Sequence, residues 1–574
     1  MKFNKYILLL SLALTGAVFT GCQEDYEAVP LEQFTEDFVF SNTDSLGVQA
    51  KRYLNAVYYF LPNGHNRVWA DYLDAATDDA VSSAITENDV TRLARGQYTA
   101  QSTLGSEMNW GRYYQGIRMA TTFINNIDVV PLMETFNDGQ PLNSAWKSEA
   151  RFVRAYLYFQ LVKRFGGVPL LGDEAPTLED DLELPRNSVE ECVDFIVTEL
   201  DDIRDSLRIM PISDLNSNGH VVTREAAMAL KSRVLLYAAS PLFNGGNIDR
   251  ANPLTGYPSA DPIRWKDAAD AAKYFIDSYS FFDLLPEYKD IFITSANSEI
   301  IFHRQGGNNR EIETRNGPVG FIGVNLGDGR TSPSQNLVDA FPMKNGKAIS
   351  DPTSGYDPAN MYVNRDPRLK ATILHNGATW LTEVLETFDG GVNNPTGSVQ
   401  KTKTSYYLRK FMGNFENENE YSDTRHDWIM FRYAEILLNY AEAQNEFAGP
   451  SPEIYQVLID IRNRAGIEPG DDGLYGLKAG MTKEEMRAAI HNERRIEFAF
   501  EEHRYYDLRR WKEAETVMNQ PIRGLQIVKS GNNFNFREIV VFEPSFDQRQ
   551  YLYPIPYDEV VKNRNMIQNP GWEL

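Results

Sequence analysis

Nine segments carry apolar residues at three- and four-residue spacing, and that helical periodicity constrains the fold more than any other feature of the chain. They run over residues 45–61, 110–129, 144–165, 188–207, 223–242, 263–278, 427–447, 452–465 and 482–512. Strand-like runs are few, with 299–302 and 539–542 the best of them. Several helices follow one another as pairs rich in small residues, such as Ala226, Ala227 and Ala229 followed by Ala268, Ala269, Ala271 and Ala272. Small residues let helix axes approach closely. With Tyr237, Trp265 and Tyr274 beside them, the pattern is that of tetratricopeptide-type hairpins, each of which buries its apolar face only against a neighbour. Tyr433, Ala434, Leu438, Tyr440, Ala441 and Ala443 repeat it further on. The expected fold class is mostly α, a scaffold of tetratricopeptide-like helix pairs with a large irregular, loop-rich region and few short strands.

That irregular region spans about 306–424, where Gly, Asn, Asp and Pro dominate and the helical period fades. Long irregular segments in compact proteins are either functional or disordered. Phe321, Trp380, Tyr406, Tyr407 and Tyr421 argue for order here. A shorter loop-rich stretch covers 78–106. Aromatic residues make up 12% of the chain, which allows one large core with rings to spare for a surface. The expected organisation is a helical scaffold over about 45–300 and 425–574, interrupted by the loop-rich insertion.

At the N-terminus, Lys2 and Lys5 precede a nearly uncharged apolar run from Tyr6 to Thr20, followed by Gly21 and Cys22. This reads as an export signal over residues 1–21, too short to remain as a spanning helix. A small residue directly before cysteine is the cleavage pattern of bacterial lipoproteins, so Cys22 is expected to be acylated and residues 22–44 to form a tether. An ordinary secretory signal with Cys22 as a bystander is the alternative. Cys192, the other of the two cysteines, lies among Val189, Ile196, Leu200 and Ile203 at helical spacing and reads as a core thiol. No disulfide framework follows. The formal charge of −23 argues against nucleic acid and anionic headgroups as partners, since both need a basic footprint.

Catalytic signatures are missing. The chain has no phosphate-cradling glycine loop, no paired-histidine zinc motif and no Gly-x-Ser-x-Gly elbow. Asp389-Gly390-Gly391-Val392-Asn393-Asn394 and Gly470-Asp471-Asp472-Gly473 offer oxygens to calcium, and turn chemistry explains both equally well. No other cofactor and no metal ligand set is expected.

Segments spread over the whole chain resemble one family, the SusD/RagB nutrient-binding lipoproteins. Arg112-Tyr113-Tyr114-Gln115-Gly116-Ile117-Arg118, Glu149-Ala150-Arg151-Phe152-Val153-Arg154-Ala155-Tyr156 and Arg164-Phe165-Gly166-Gly167-Val168-Pro169 are similar to its paired helices and exit turn. Arg365-Asp366-Pro367-Arg368-Leu369, Phe431-Arg432-Tyr433-Ala434-Glu435 and Arg504-Tyr505-Tyr506-Asp507-Leu508-Arg509-Arg510-Trp511 follow in its order, and Leu552-Tyr553-Pro554-Ile555-Pro556 closes the chain as in that family. The resemblance implies a binding protein and not an enzyme, anchored to the outer membrane at the cell surface. It also implies a SusC-like TonB-dependent transporter partner, over which the lipoprotein sits as a lid, and a glycan ligand. Peptides are the alternative ligand, and a glycoside hydrolase is the reading from another class. Acidic Glu24 and Asp25 after Cys22 resemble the surface-export signal of Bacteroidetes lipoproteins. The Arg and Glu residues of 493–510 read as an internal salt-bridge network.

Sugar capture calls for flat aromatic faces against the C–H faces of the rings, with Asp, Asn, Arg and Gln around them for the hydroxyls. The loop-rich stretches supply Asp78, Asp79, Arg92 and Arg95 in the first, and Asn308, Asn309, Arg315, Phe321, Trp380, Tyr406 and Tyr407 in the second. Trp380 and Phe321 stand out because Gly, Asn or Thr surround them. Trp69 fits a core plug and a platform equally.

Overall fold

The computed structural model describes residues 36–573 except 137–138, 176, 178, 181, 213–219 and 247. The export signal, Cys22 and the first part of the tether lie outside the described residues. The scaffold among the described residues consists of ten helices of eight or more residues: α1 (Val48–Tyr58), α2 (Trp110–Asn126), α3 (Leu142–Phe165), α4 (Val189–Ile203), α5 (Arg224–Ala239), α6 (Ile263–Ser278), α7 (Tyr433–Ala448), α8 (Pro452–Arg464), α9 (Lys483–Glu497) and α10 (His503–Arg510). Local chemistry sets their ends. Ser188 and Thr482 each accept from the backbone N–H of a glutamate three residues on, which accepts from their own N–H in return, so capping boxes start α4 and α9. α3 ends at Gly166, with φ of 77° and so close to Leu254 that an added Cβ would lie 2.2 Å from its carbonyl oxygen.

The helices stack in series. α2 packs on α3, α3 on α4, α4 on α5, α5 on α6 and α6 on α7, which in turn carries α8 and α9. Ala226, Ala227 and Ala229 of α5 and Ala268, Ala269 and Ala272 of α6 are all buried, which is the close helix approach their size permits. One continuous core runs through the whole array.

Two local expectations change. Residues 427–432 are not helical: β4 (Trp428–Arg432) pairs antiparallel with β2 (Ile300–Arg304), and α7 starts only after it. Trp428 through Phe431 form an unbroken buried apolar run, whose period does not separate a buried strand from a buried helix. The 482–512 segment is two helices, broken where Phe500 (φ 66°) and Glu502 (φ 62°) turn left-handed. There the Phe500 N–H donates to Asp74 Oδ1 at 2.9 Å instead of continuing the helix. The strand expected at 539–542 is observed, as the end of a long hairpin, β5 (Ile522–Ser530) against β6 (Asn533–Phe542). β1 (Ala80–Ser82) and β3 (Thr331–Pro333) pair antiparallel, joining the first loop-rich stretch to the second. The tether is not free along all its length either, since Phe40 is buried, its ring 5.8 Å from that of Phe123.

A buried charge network ties the irregular region to the scaffold. Glu497 accepts from Arg368 at 2.8 Å, from Arg432 at 2.7 Å, and from Arg464. Burial alone would raise its pKa, but Arg464, Arg432 and Arg368 outweigh that and hold it far below the usual carboxylate range. Removing one member of such a cluster leaves an uncompensated buried charge, which costs about 3–5 kcal/mol.

Candidate functional site

Val68 and Asp71 exchange both of their backbone hydrogen bonds at 3.1 Å, closing a two-residue turn with Trp69 and Ala70 at its tip. Both tip residues have positive φ, 57° and 69°. Such a turn favours Asn-Gly, because a Cβ meets the carbonyl in the left-handed region. Yet here it carries a tryptophan and an alanine. The indole is 63% exposed while Val68 and Tyr72 on either side are fully buried. A bulky side chain held in a disfavoured backbone conformation and aimed at solvent is strain stored where the surroundings over-determine it.

Those surroundings centre on Asp71, which is fully buried. Its carboxylate accepts from Ser82 Oγ at 2.7 Å, Asn88 Nδ2 at 3.2 Å, Thr331 Oγ1 at 3.2 Å and Arg330 Nε at 3.1 Å. Burial pushes its pKa up to about 6, with Arg330 the largest force pulling it back. Arg330 also donates through Nη2 to the Trp69 carbonyl at 2.9 Å, bracing the turn from outside.

Two depressions adjoin the segment that carries Arg330. One, of about 640 Å³, is lined by Asn308, Asn309, Arg315, Val324, Leu326 and Asp328 among others. The other, of about 520 Å³, is lined by Ser83, Ile85, Lys401, Lys403, Gln526 and Val541 among others. The segment 328–330 connects them: Gln400 Nε2 donates to the Asp328 carbonyl at 3.0 Å and the Ser83 N–H to the Arg330 carbonyl at 2.8 Å. Exposed Ile85, Ile322 and Leu326 add apolar surface.

Of the residues singled out from the sequence, Asn308, Asn309 and Arg315 line the first depression, and Trp69 is tied through Arg330 to the segment between the two. Arg315 is exposed and 3.4 Å from Asp328. Phe321 is half-buried and packs against the core. Trp380, Tyr406 and Tyr407 are corrections, because all three are completely buried. The Trp380 indole N–H donates to the Tyr421 hydroxyl at 2.8 Å, its ring meets Phe415 edge-on, and the Arg409 guanidinium lies 5.2 Å from its centre. Tyr406 donates to Gln335 Oε1 at 2.6 Å and Tyr407 to the Asn393 carbonyl at 2.5 Å. Asp78 and Asp79 are also inside, holding Arg495 and Arg504. Burial would raise the Asp78 pKa, but Arg495 and Arg504 bring it down to about 2. Arg92 is half-buried, donating to Ser102 Oγ at 3.1 Å. Arg330, Ile85, Lys403 and Gln526 escaped the sequence reading, since each is an ordinary residue of its loop or strand until the fold collects them.

Cys192 is fully buried, and burial pushes its thiol up to about 12, leaving it inert. In the calcium candidates, Asp389 accepts from Gln526 Nε2 at 2.8 Å and Asp472 from the Leu474 N–H at 3.0 Å. Among the described residues no group of three or more His, Cys, Asp and Glu is placed to hold a metal ion.

Residues 37–236 match the family model described as starch-binding, associating with the outer membrane, and residues 298–572 match that of the SusD family. The chain belongs to the SusD/RagB family. A SusD-like protein of Formosa agariphila, P2, is 26% identical over 483 residues, 81% of this chain and 80% of its own. The crystal structure of a SusD-like protein from Bacteroides fragilis covers 94% of this chain and 99% of its own at 27% identity, with a TM-score of 0.75. A SusD-like carbohydrate-binding protein of the same organism covers 91% of this chain and 99% of its own at 22% identity and a TM-score of 0.71. The mostly helical SusD fold expected from the sequence is therefore the observed one. Among the described residues no helix is long and apolar enough to cross a membrane.

Proposed function

We propose that this SusD-family chain is a cell-surface lipoprotein, anchored to the outer membrane through Cys22, that captures glycan on the Trp69 face and delivers it to a SusC-like TonB-dependent transporter. The observation that carries the proposal is the exposed indole on a strained, braced turn. An indole face covers the C–H face of a sugar ring, and the neighbouring Asn308, Asn309, Arg315 and Gln400 offer donors and acceptors to hydroxyls. The likeness to the second Bacteroides fragilis protein, a SusD-like carbohydrate-binding protein, supports the ligand class. On this reading the protein acts by binding and not by catalysis; at the face Asp71 is held by Arg330, Asp328 by Arg315 and Asp389 by Gln526. The second reading is a peptide ligand. It is favoured by a groove of about 610 Å³ over α4, α5 and α6, where Glu190, Asp194 and Asp267 stand above Val197 and Leu235.

Isothermal titration of the chain from residue 23 against plant, host and microbial polysaccharides and a peptide digest tests this. Binding of one polysaccharide, lost in Trp69→Ala with the circular dichroism spectrum unchanged, is expected. Binding of peptides alone would overturn the glycan assignment, and failure to co-purify with a TonB-dependent barrel would overturn the delivery step.

A further inference from the structure

The depression beside β5 and β6 contains two lysines that make no ion pair among the described residues. Lys403 Nζ donates to the Ala84 carbonyl at 3.1 Å and Lys401 Nζ to the Pro395 carbonyl, and neither ammonium has a carboxylate within ion-pair distance among the described residues. In the same region Arg310 is paired with Asp423 at 2.9 Å, Arg330 with Asp71 at 3.1 Å and Arg409 with Glu416 at 2.9 Å, while Arg365 donates to main-chain carbonyls and Lys347 to the Thr353 hydroxyl. With 80 Asp and Glu against 57 Lys and Arg, acidic partners are abundant, and two neighbouring lysines without one run against the composition. The one acid in the lining is Asp389, and its Oδ2 is taken by the Gln526 amide.

Partial desolvation lowers the Lys403 pKa; Asp71 opposes that, and the guanidiniums of Arg330 and Arg95 lower it further. Lys403 is nevertheless exposed in part, so its charge is within reach of a bound group. Ser398, Thr402, Ser405, Asn394 and Gln526 surround the lysines with hydroxyls and amides, and Ile85 and Val399 give apolar surface. The cleft is one strand from the indole: Ser83 in its wall donates to the carbonyl of Arg330, whose guanidinium holds the carbonyl of Trp69.

We infer that Lys401 and Lys403 receive an oxyanion substituent of the glycan, a carboxylate or a sulfate ester, so that this face selects acidic over neutral polysaccharide. The inference rests on the glycan-binding reading above and names its substrate class. A lysine ammonium is a compact point charge that meets either oxyanion without demanding the planar fork of an arginine. A chain of formal charge −23 repels polyanions as a whole, so binding of one has to come from a local cationic site.

The test is affinity electrophoresis and titration of the purified chain against a broad panel of acidic and neutral polysaccharides. The panel includes pairs that differ in charge alone: polygalacturonate with its methyl ester, and chondroitin sulfate with its desulfated form. The best ligand should be acidic and bind at least tenfold tighter than its uncharged counterpart, and which pair shows the difference separates carboxylate from sulfate. Lys401→Gln with Lys403→Gln removes both charges while keeping an amide donor on a side chain one atom shorter, and should abolish that preference while leaving the affinity for the uncharged counterpart unchanged. Lys401→Arg with Lys403→Arg should retain it. A Trp69-dependent neutral ligand with no preference for charge, or a preference that survives the double glutamine variant, overturns this inference and leaves the glycan reading standing. If no polysaccharide of either kind binds, both fall together.

Discussion

The guanidinium of Arg330 donates from Nη2 to the main-chain carbonyl of Trp69 at 2.9 Å. Its Nε lies 3.1 Å from the carboxylate of Asp71, so one side chain holds both the tip of the turn and its buried base. The contact with Trp69 is to backbone, which leaves both faces of the indole unclaimed by this arginine. Arg330 is therefore a positioning residue for the exposed ring.

Arg330→Met keeps most of the side-chain volume and removes the donors. Glycan affinity should drop by several-fold, less than in Trp69→Ala, and Arg330→Lys should recover part of it because one donor remains. Loss of a partner to a buried carboxylate should also lower stability, by about 3 kcal/mol in the manner of broken buried pairs. Titration of the folded variant decides the point. Wild-type affinity in Arg330→Met would show that the turn keeps its geometry without the brace.

Stability and binding should move in opposite directions at the turn itself. Trp69→Asn with Ala70→Gly installs the pair that positive φ at both positions favours. Relief of left-handed strain is worth about 1 kcal/mol or more, so the thermal midpoint should rise. Glycan affinity should fall at least tenfold, because the platform is gone. A lower midpoint in this variant would mean that the turn stores no strain.

Trp380 should behave as a core residue. It has no exposed surface, and Trp380→Ala should cost about 3–5 kcal/mol in urea unfolding, as for other large-to-small core changes. Trp380→Phe should cost less, since it keeps most of the packing and removes the donor to the Tyr421 hydroxyl. Measured on the folded fraction, ligand affinity should not change in the phenylalanine variant. A variant as stable as wild type that has lost its ligand would reverse the assignment.

What was legible in the sequence was what nearby residues decide. Ser188 and Glu191 announce the start of α4 because a capping box is complete within four positions, and the alanine-rich faces of α5 and α6 announce close packing. The break between α9 and α10 is invisible locally, because the acceptor that draws away the Phe500 N–H is Asp74, 426 residues earlier. Trp380 misleads for the same reason. Its polar neighbours in sequence suggest a surface, while Phe415 and Tyr421 enclose it from beyond the insertion's next turns. Trp69 was ambiguous because Val68 and Tyr72 flank it with core-type side chains, and only the left-handed tip turns its ring outward. Lys401 and Lys403 carried no signal at all, since a lysine without a counter-ion is recognised only once every acid has been placed.

Acid should unfold the protein through its buried carboxylates, and Glu442 of α7 is the clearest of them. It accepts from Arg510 Nη2 at 2.7 Å and from the Trp511 indole at 2.8 Å, with Arg494 3.5 Å away. Burial alone would raise its pKa, but Arg510 and then Arg494 outweigh it and hold the carboxyl at about 2, against an ordinary 4.5. A folded pKa below the unfolded one means that the stabilisation is complete above about pH 4.5 and is lost as pH falls towards 2. That window is worth on the order of 3 kcal/mol at this site. Glu107, held at about 2 against burial by Arg164 and Arg67, adds to the same limb. Asp74 acts in the opposite sense: burial, reinforced by Asp79, raises it to about 8, so its contribution is greatest at low pH and fades as pH rises through that value. Urea unfolding of wild type and Glu442→Gln at pH 7 and pH 3 separates these effects. The variant should be much less stable at pH 7, and the gap should narrow at pH 3; a gap of constant size would show that Glu442 does not titrate in this range.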